Sequence, residues 1–337
     1  KETEGITKEI TEGVLGSDEP EPCTIPKTVP QFEHQSYYTG PLIDTHIHMP
    51  VASKIVSTTA IQAGFEDMPA YSDELSIDYL TCLFESEGIT QAFGFNVVPN
   101  LVIGQSVRKV NSNAERYPDM FVQFYQPTQL PGLNPSPEKV DDILTDNPIF
   151  QGYGEVKFSF GEIDNFGIRD EEYLAAYDLA DKHGLVIMMH PGYQHKEDVM
   201  FLLEKHPNVK FLFHGGESHP WIMDVLEKYP NAYYTLEPNI LIFGWEIHEL
   251  RSPTKEEFLA YMPERFDSFL EDQLGYWKPR IEKHPNKFLW GTDRWYTWHF
   301  DPEVGSAVEE FGRAFIGQLD ESVQENFAYK NAEKIME

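Results

Sequence analysis

The sequence predicts an α/β chain folded as a (β/α)8 TIM barrel, with an extended N-terminal tail and an insertion after the seventh strand. The main observation is a series of eight short apolar runs, typical of buried parallel strands and separated by segments of helical spacing. Eight such strands favour closure into a barrel. The runs are PLIDTHIH (41–48), ITQAFGFNVV (89–98), MFVQFYQ (120–126), GYGEVKFSF (152–160), LVIMMH (185–190), VKFLFHGG (209–216), AYYTLE (232–237) and KFLWGTD (287–293).

A recurring turn supports this assignment. Four predicted strands are entered through an aromatic residue or histidine, then proline, then Asn or Asp, at 117–119, 206–208, 229–231 and 284–286. Proline cannot continue a helix, and Asn or Asp accepts a turn conformation. The turns therefore mark the N-terminal mouth of the barrel, and we expect His206 and His284, which belong to them, to lie far from the catalytic mouth.

Composition excludes several classes of function. The net charge of −30, from 56 acidic and 26 basic side chains, repels phosphate backbones and anionic lipid, so nucleic acid and membrane surfaces are poor partners. No apolar run approaches the ~20 residues of a membrane span. Two cysteines, Cys23 and Cys82, do not make a disulfide framework, and whether they pair is left open. A small-molecule substrate is the expected partner, and a homo-oligomer is compatible with the sequence.

Two segments depart from the barrel pattern. Residues 1–36 are acidic and Pro-rich without hydrophobic periodicity, so we expect an extended, partly mobile tail before a barrel domain of residues 37–337. The start at Lys1, the acidic surface and the spacer-like tail favour an exported protein over a cytoplasmic one. The connection 238–271 exceeds one helix and predicts an insertion over the active-site mouth.

Polar residues close several strands at one end of the predicted barrel. His46 and His48 are two apart at the end of the first strand and so share a face, with Asp44 one step deeper. His190, His214 and Asp293 close the fifth, sixth and eighth strands, each beside glycine or Pro-Gly. The C-terminal ends of barrel strands form the catalytic pocket, and imidazole suits Zn, Fe, Mn or Ni. This arrangement predicts a metal centre.

These motifs resemble the amidohydrolase superfamily, and specifically its amidohydrolase-2 branch. The resemblance rests on IDTHIH at the first strand, WGTD at the last and the closing NFAYKNAEKIM (326–336), and it covers residues 41–337. That branch includes hydrolases, lactonases and decarboxylases of the aminocarboxymuconate-semialdehyde type. The resemblance implies a divalent metal, with zinc and one ion favoured over two.

The resemblance also implies a ligand set. His46 and His48 match the strand-1 ligands, His190 the strand-5 ligand, His214 the strand-6 histidine and Asp293 the strand-8 aspartate.

The fourth strand leaves three alternatives open. Members with two metals bridge them through a carboxylated lysine or a glutamate from this strand, and here Glu155 and Lys157 offer both on one face. Glu155 is a ligand, or Lys157 is a carboxylated bridge, or the two form an ion pair. Glu155 beside a single metal is the preferred alternative.

The predicted chemistry is hydrolysis of an amide, ester or lactone by a metal-activated water. Asp293 would act as general base and then acid, and His214 would stabilise the developing oxyanion. Arg294, Trp295, Tyr193 and Glu217 follow strand ends and are candidates for substrate binding. The alternatives are a non-oxidative decarboxylase, favoured by a carboxylate grip through Arg294, and a catalytically idle barrel used for binding.

Overall fold

The structure is a computed structural model that describes residues 22–50, 75–128, 134–157, 167–215, 219–237 and 254–337 of the chain. Its eight parallel strands follow one another in the sheet in chain order, from first to last. The strands are β1 (Leu42–His48), β2 (Ile89–Val97), β3 (Phe121–Gln126), β4 (Phe150–Lys157), β5 (Val186–His190), β6 (Phe211–Phe213), β7 (Ala232–Leu236) and β8 (Phe288–Trp290).

The sheet curves round until its two edges meet. Ile47 forms a parallel bridge with Arg294, and the His48 backbone N–H donates to the Arg294 carbonyl at 2.9 Å. This closure confirms the predicted barrel.

Helices alternate with the strands around the outside. They are α1 (Ile77–Glu87), α2 (Ile103–Arg116), α3 (Pro137–Asp146), α4 (Glu171–His183), α5 (Lys196–Lys205), α6 (His219–Lys228), α7 (Lys255–Lys283), α8 (Pro302–Gly317), α9 (Glu321–Glu325) and α10 (Asn331–Met336). The four predicted turns follow α2, α5, α6 and α7 directly and each precedes a strand, as expected. Within the described ranges no helix is long and apolar enough to cross a membrane.

The core has an inner and an outer layer. Inside the barrel, alternate strand residues such as Phe93, Phe124, Met188 and Leu212 pack together, and Ile335 of α10 covers the lower end of this cluster. The other strand faces pack against the helices in a larger outer cluster. Because α10 covers the N-terminal end of the barrel, we expect the active site at the C-terminal ends of the strands.

The segment predicted as an insertion is in part a barrel helix. Residues 238–253 lie outside the described residues, but from Lys255 the chain forms α7, which begins with a capping box between Thr254 and Glu257. Phe258 and Phe266 are buried on its inner face. Part of the length that suggested an insertion therefore belongs to a barrel helix.

The described part of the tail is extended and docked on the barrel. Cys23 and Cys82 form a disulfide with a Cα–Cα distance of 5.1 Å, which ties the tail to α1. The buried Glu310 carboxylate of α8 accepts the backbone N–H groups of Gln31 and Phe32, each at 2.8 Å, and lies 2.7 Å from His34 Nε2. These contacts order residues 22–36, a part of the chain that was expected to be partly mobile.

Candidate metal centre

Inward-facing polar residues at the C-terminal strand ends form one layer. In β5, Val186 and Met188 face the barrel interior, so His190 two residues further also faces inward. In β6 the same alternation places His214 two residues after the interior residue Leu212. All of these side chains are buried.

Two further members of the layer were not among the predicted ligands. Gln126 follows the interior residues Val122 and Phe124 of β3, and Glu237 follows Tyr233 of β7 at four residues. The same alternation in the sequence would have identified both of them.

Register shifts in β1 and β4 determine the directions in which Asp44 and Glu155 point. In β1 the shift lies between Asp44 and Ile47, so Ile43 packs inside the barrel while Ile47 packs in the outer layer. Asp44 consequently does not lie one step below His46, as the plain alternation predicted. It accepts hydrogen bonds from the Thr292 hydroxyl at 2.6 Å and the His46 backbone N–H at 3.1 Å.

In β4 the shift lies between Tyr153 and Val156, both of which pack in the outer layer. Gly154 then faces inward, because a Cβ there would lie 3.1 Å from Met188 Cβ and 2.3 Å from its carbonyl oxygen. Glu155 also faces inward, beside His214. The bulge therefore turns the Glu155 carboxylate towards the centre of the barrel mouth.

Three predicted ligands converge in the middle of this layer. His46 Nε2 and His48 Nε2 each lie 3.4 Å from the same Asp293 oxygen, Oδ1. Two ligand atoms that bind one tetrahedral cation at ~2.1 Å are about 3.4 Å apart. Among the described residues no hydrogen-bond partner reaches the buried His46 Nε2. The spacing and the donor types fit a divalent metal.

Glu155 completes a four-sided arrangement. Its Oε2 lies 3.7 Å from His48 Nε2, and its Oε1 lies 2.9 Å from His214 Nε2. The ligand atoms of His46, His48 and Glu155 all lie within 4.8 Å of one another. These three residues and Asp293 could therefore hold a cation from four sides.

The other nitrogens of the two strand-1 histidines face oxygen atoms. His46 Nδ1 lies 3.0 Å from Glu237 Oε1, and His48 Nδ1 lies 3.3 Å from Gln126 Oε1. An imidazole that donates from Nδ1 keeps its lone pair on Nε2. Both rings can thus present Nε2 to the same point.

The electrostatics of the layer follow from burial and close pairing. Burial alone would raise the pKa of Asp293, but the combined effect of His46, His48 and His214 is larger and holds it well below its usual range. Glu155 shows the same balance: burial opposes ionisation, and His214 overcomes it and lowers the pKa. Both carboxylates are therefore ionised and available to a cation.

Glu237 behaves differently from these two carboxylates. Burial raises its pKa to about 7, with the hydrogen bond from His46 opposing that rise and the charge of Asp293 adding to it.

The pKa of His48 is raised overall. Burial lowers this pKa, but the hydrogen bond to Asp293 and the charge of Glu155 outweigh burial.

Two predicted metal-site residues lie at the edge of the cluster. The His190 ring packs against His214 with a centroid distance of 4.7 Å, and its role as a metal ligand stays a prediction. Lys157 pairs in register with His190, and its ammonium lies 5.8 Å from the centre of the Trp295 ring. The structure thus brings Glu155 into contact with the histidines and places Lys157 at the rim.

Arg294 requires a correction. Its guanidinium is fully buried and forms two hydrogen bonds with Glu87 of α1, at 2.8 and 3.1 Å. Because Arg294 follows the inward-facing Asp293 by one residue, it points to the outer layer. The expectation that it grips a substrate carboxylate is therefore wrong.

Two of the remaining substrate candidates, Trp295 and Tyr193, lie at or near the mouth. Trp295 is half-buried, and Tyr193 is 65% exposed after the end of β5. Glu217 lies outside the described residues. His299 is buried beside them, and its Nδ1 accepts the Trp295 backbone N–H at 3.3 Å.

His206 and His284 lie at the opposite end, as predicted, at the ends of α5 and α7. Their nearest carboxylates are Asp178 at 3.6 Å and Glu227 at 3.2 Å.

The sequence profile of the amidohydrolase family matches residues 43–336. The chain therefore belongs to the amidohydrolase family, a class that agrees with its barrel fold. No curated protein sequence matches the chain.

Solved structures share the fold at low sequence identity. A zinc-bound amidohydrolase from Burkholderia multivorans has a TM-score of 0.56 at 12% identity, with 88% of this chain and 99% of that chain covered. A putative 2-pyrone-4,6-dicarboxylic acid hydrolase from Pseudomonas putida has 0.53 at 15%, covering 88% and 97%. A manganese-bound dihydroxybenzoic acid decarboxylase from Polaromonas has 0.50 at 16%, covering 88% and 97%.

Proposed function

We propose that this protein is a metal-dependent hydrolase that cleaves an amide, ester or lactone bond of a small molecule. The observation that carries the proposal is the convergence of His46 Nε2 and His48 Nε2 on Asp293 Oδ1 at 3.4 Å each, at the open mouth of the barrel. In the proposed site these three residues and Glu155 hold one divalent cation. Nitrogen and oxygen donors of this kind suit zinc, and they suit manganese or iron as well.

A divalent cation held there would supply Lewis acidity, which lowers the pKa of water and polarises a substrate carbonyl. The residues of the chain supply the remaining functions. Asp293 adopts a left-handed backbone conformation, with φ of 52°. Aspartate tolerates this conformation better than most residues. The second oxygen of its carboxylate is the proposed acceptor of the proton of the attacking water, which it returns to the leaving group.

His214 is the proposed donor to the substrate oxygen. Its Nε2 lies 2.9 Å from Glu155, and its Nδ1 lies 3.6 Å from Glu237, so the ring stands between two buried carboxylates. When a substrate carbonyl enters, Nε2 exchanges Glu155 for that oxygen. A donor held in a buried layer before the reaction stabilises negative charge as it develops.

The proposed substrate surface is aromatic with one cation. Trp295 presents a half-buried ring, Lys157 lies over it, and Tyr193 stands exposed at the rim. A flat or ring-shaped substrate that carries a negative group would satisfy both the rings and the ammonium. His190 supports the layer through its contact with His214.

The rival functions are a non-oxidative decarboxylase on the same scaffold and an idle barrel that only binds. The burial of Arg294 against Glu87 removes the sequence feature that favoured decarboxylation. The test incubates zinc- and manganese-loaded protein with panels of esters, lactones and amides, and in parallel with ortho-hydroxybenzoic acids. Hydrolysis of a panel member supports the proposal, and CO2 release without hydrolysis overturns it.

Metal analysis distinguishes a metal-dependent enzyme from a catalytically idle barrel. A chain purified without chelators should carry close to one metal ion, or take one up on reloading. A content well below one ion per chain that reloading does not raise would overturn the enzymatic proposal.

A further inference from the structure

The buried carboxylate of Glu237 is the feature of the inner layer that the proposed chemistry leaves unused. It follows β7, its side chain is 1% exposed, and it lies beside His46 of β1 and His214, which follows β6. Its Oε1 is 3.0 Å from His46 Nδ1 and 3.6 Å from His214 Nδ1. A single oxygen atom therefore faces the same nitrogen type on two imidazoles.

Two groups of side chains around His46 have the spacing of a metal site, and they use opposite nitrogens of the ring. One group is His46, His48 and Glu155 on the Nε2 side, and the other is His46, His214 and Glu237 on the Nδ1 side. A neutral imidazole has one lone pair and one N–H. Only one of the two groups can therefore act as the metal site for a neutral His46.

The Nε2 side of His46 has more potential metal ligands than the Nδ1 side. Asp293 joins the Nε2 side at 3.4 Å from both His46 and His48, and Glu155 adds a second carboxylate at 3.7 Å from His48 Nε2. On the Nδ1 side the 3.0 Å distance to Glu237 is that of an N–H···O hydrogen bond. His48 is arranged in the same way as His46. Its Nδ1 lies 3.3 Å from the amide oxygen of Gln126, which can only accept a hydrogen bond.

We propose that Glu237 is a positioning residue that accepts the Nδ1–H of His46 and thereby leaves Nε2 as the nitrogen that binds the cation. This inference rests on the proposed metal centre. In the protein, Glu237 fixes both the tautomer and the rotation of the ring, because the bond joins the end of β7 to the end of β1. Such carboxylate–histidine contacts behind a metal orient the ligand and increase its basicity.

The test compares Glu237→Ala and Glu237→Gln in the full-length chain, with Thr235→Val as the matched control one inward step deeper on β7. The glutamine keeps an acceptor oxygen of the same reach, whereas alanine removes it. The first readout is the dissociation constant for Zn²⁺, measured by chelator competition at pH 7.5. We expect Glu237→Ala to weaken binding about ten- to a hundred-fold. Glu237→Gln should stay within a few-fold of the unchanged chain, and Thr235→Val should not differ from it.

The second readout is the tautomer of His46, observed by ¹⁵N-histidine NMR of metal-free protein at pH 8.5, with His46→Gln used to assign the signal. We expect the proton on Nδ1 in the unchanged chain and in Glu237→Gln, and a shift towards Nε2 in Glu237→Ala. Thermal melts of each variant establish that the fold is intact. If Glu237→Ala does not fold, the glutamine variant and the tautomer of the unchanged chain decide.

Three results would overturn the proposal. The first is an Nε2–H tautomer in the unchanged chain, and the second is unaltered zinc affinity in folded Glu237→Ala. The third is a loss in Glu237→Gln as large as that in Glu237→Ala, because it would make Glu237 itself a ligand. If the unchanged chain binds no zinc, the proposed function fails, while the tautomer of the metal-free protein still tests the role of Glu237.

Discussion

Arg294 and Glu87 form a fully buried ion pair in which two guanidinium nitrogens contact the two carboxylate oxygens at 3.1 and 2.8 Å. The pair joins the end of β8 to the end of α1, directly beside Asp293. The Arg294 carbonyl also accepts the His48 backbone N–H at 2.9 Å. A residue that looked like a substrate clamp is thus part of the frame that closes the barrel behind the candidate metal centre.

Removing one partner of this pair should destabilise the fold. Glu87→Ala leaves a buried guanidinium without its carboxylate, and such losses cost about 3–5 kcal/mol. The free energy of unfolding in urea measures the effect. Glu227→Ala removes one partner of an exposed pair with Lys283 and should change stability by less than ~1 kcal/mol. A Glu87→Ala loss no larger than that of the control would contradict the described geometry.

Replacing His46 and His48 together by alanine should abolish binding of one divalent ion, because both Nε2 donors leave the cluster. Metal content after reloading and dialysis measures this. His206→Ala at the opposite mouth should bind metal and turn over substrate like the unchanged chain, since His206 lies at the end of α5. A loss of metal binding in His206→Ala would show that the assignment of the two mouths is wrong.

Asp293→Asn should separate folding from chemistry. Asparagine also tolerates the left-handed φ of 52°, so the melting temperature should shift by no more than a few degrees. The amide can neither bind a cation as a carboxylate does nor accept a proton, so catalytic rate should fall about a hundredfold or more. Full activity in a folded Asp293→Asn variant would rule out the proposed general base.

His299 should make the protein acid-sensitive. Burial lowers its pKa to about 3, below the ~6.5 of an unfolded chain. Between these values the unfolded state binds more protons, so the contribution of neutral His299 to stability is complete above pH 6.5. That contribution is lost as the pH falls towards 3, at up to about 1.4 kcal/mol per pH unit.

Comparison of His299→Asn with the unchanged chain from pH 7.5 to 4.5 isolates the contribution of His299 to the pH dependence of stability. Asparagine can accept the Trp295 N–H but does not titrate. The difference in unfolding free energy should change with pH in the stated direction. Parallel pH curves for the two proteins would refute the assignment.

The Cys23–Cys82 disulfide should stabilise the chain by constraining the unfolded state. The two cysteines are 59 residues apart, and a loop of that length corresponds to about 4 kcal/mol in the chain-entropy description. The double variant Cys23→Ser with Cys82→Ser should therefore unfold at lower denaturant concentration than the oxidised chain. The reduced wild-type chain should match the variant, and equal stability in all three samples would contradict the prediction.

The sequence predicted most of the site because residue order alone fixes which side chains end each strand. His46, His48, His214 and Asp293 were identified in this way, and all of them lie in the inward layer at the barrel mouth. The alternation after Phe124 and Tyr233 also points to Gln126 and Glu237, and it points Arg294 outward. Local backbone periodicity determines these features, so a sequence contains them.

Tertiary structure decided which of these side chains meet. The register shift in β4 turns Glu155 onto His214, whereas Lys157 lies against Trp295 and His190 lies one ring further away. The shift in β1 separates Asp44 from the histidine face, and closure of β1 on β8 brings Asp293 to His46 from a distant part of the chain. The sequence determined the strand ends and the kinds of donors there, since these depend on neighbours along the chain. Bulges, barrel closure and the Cys23–Cys82 pairing depend on contacts between distant segments, which only the folded chain sets.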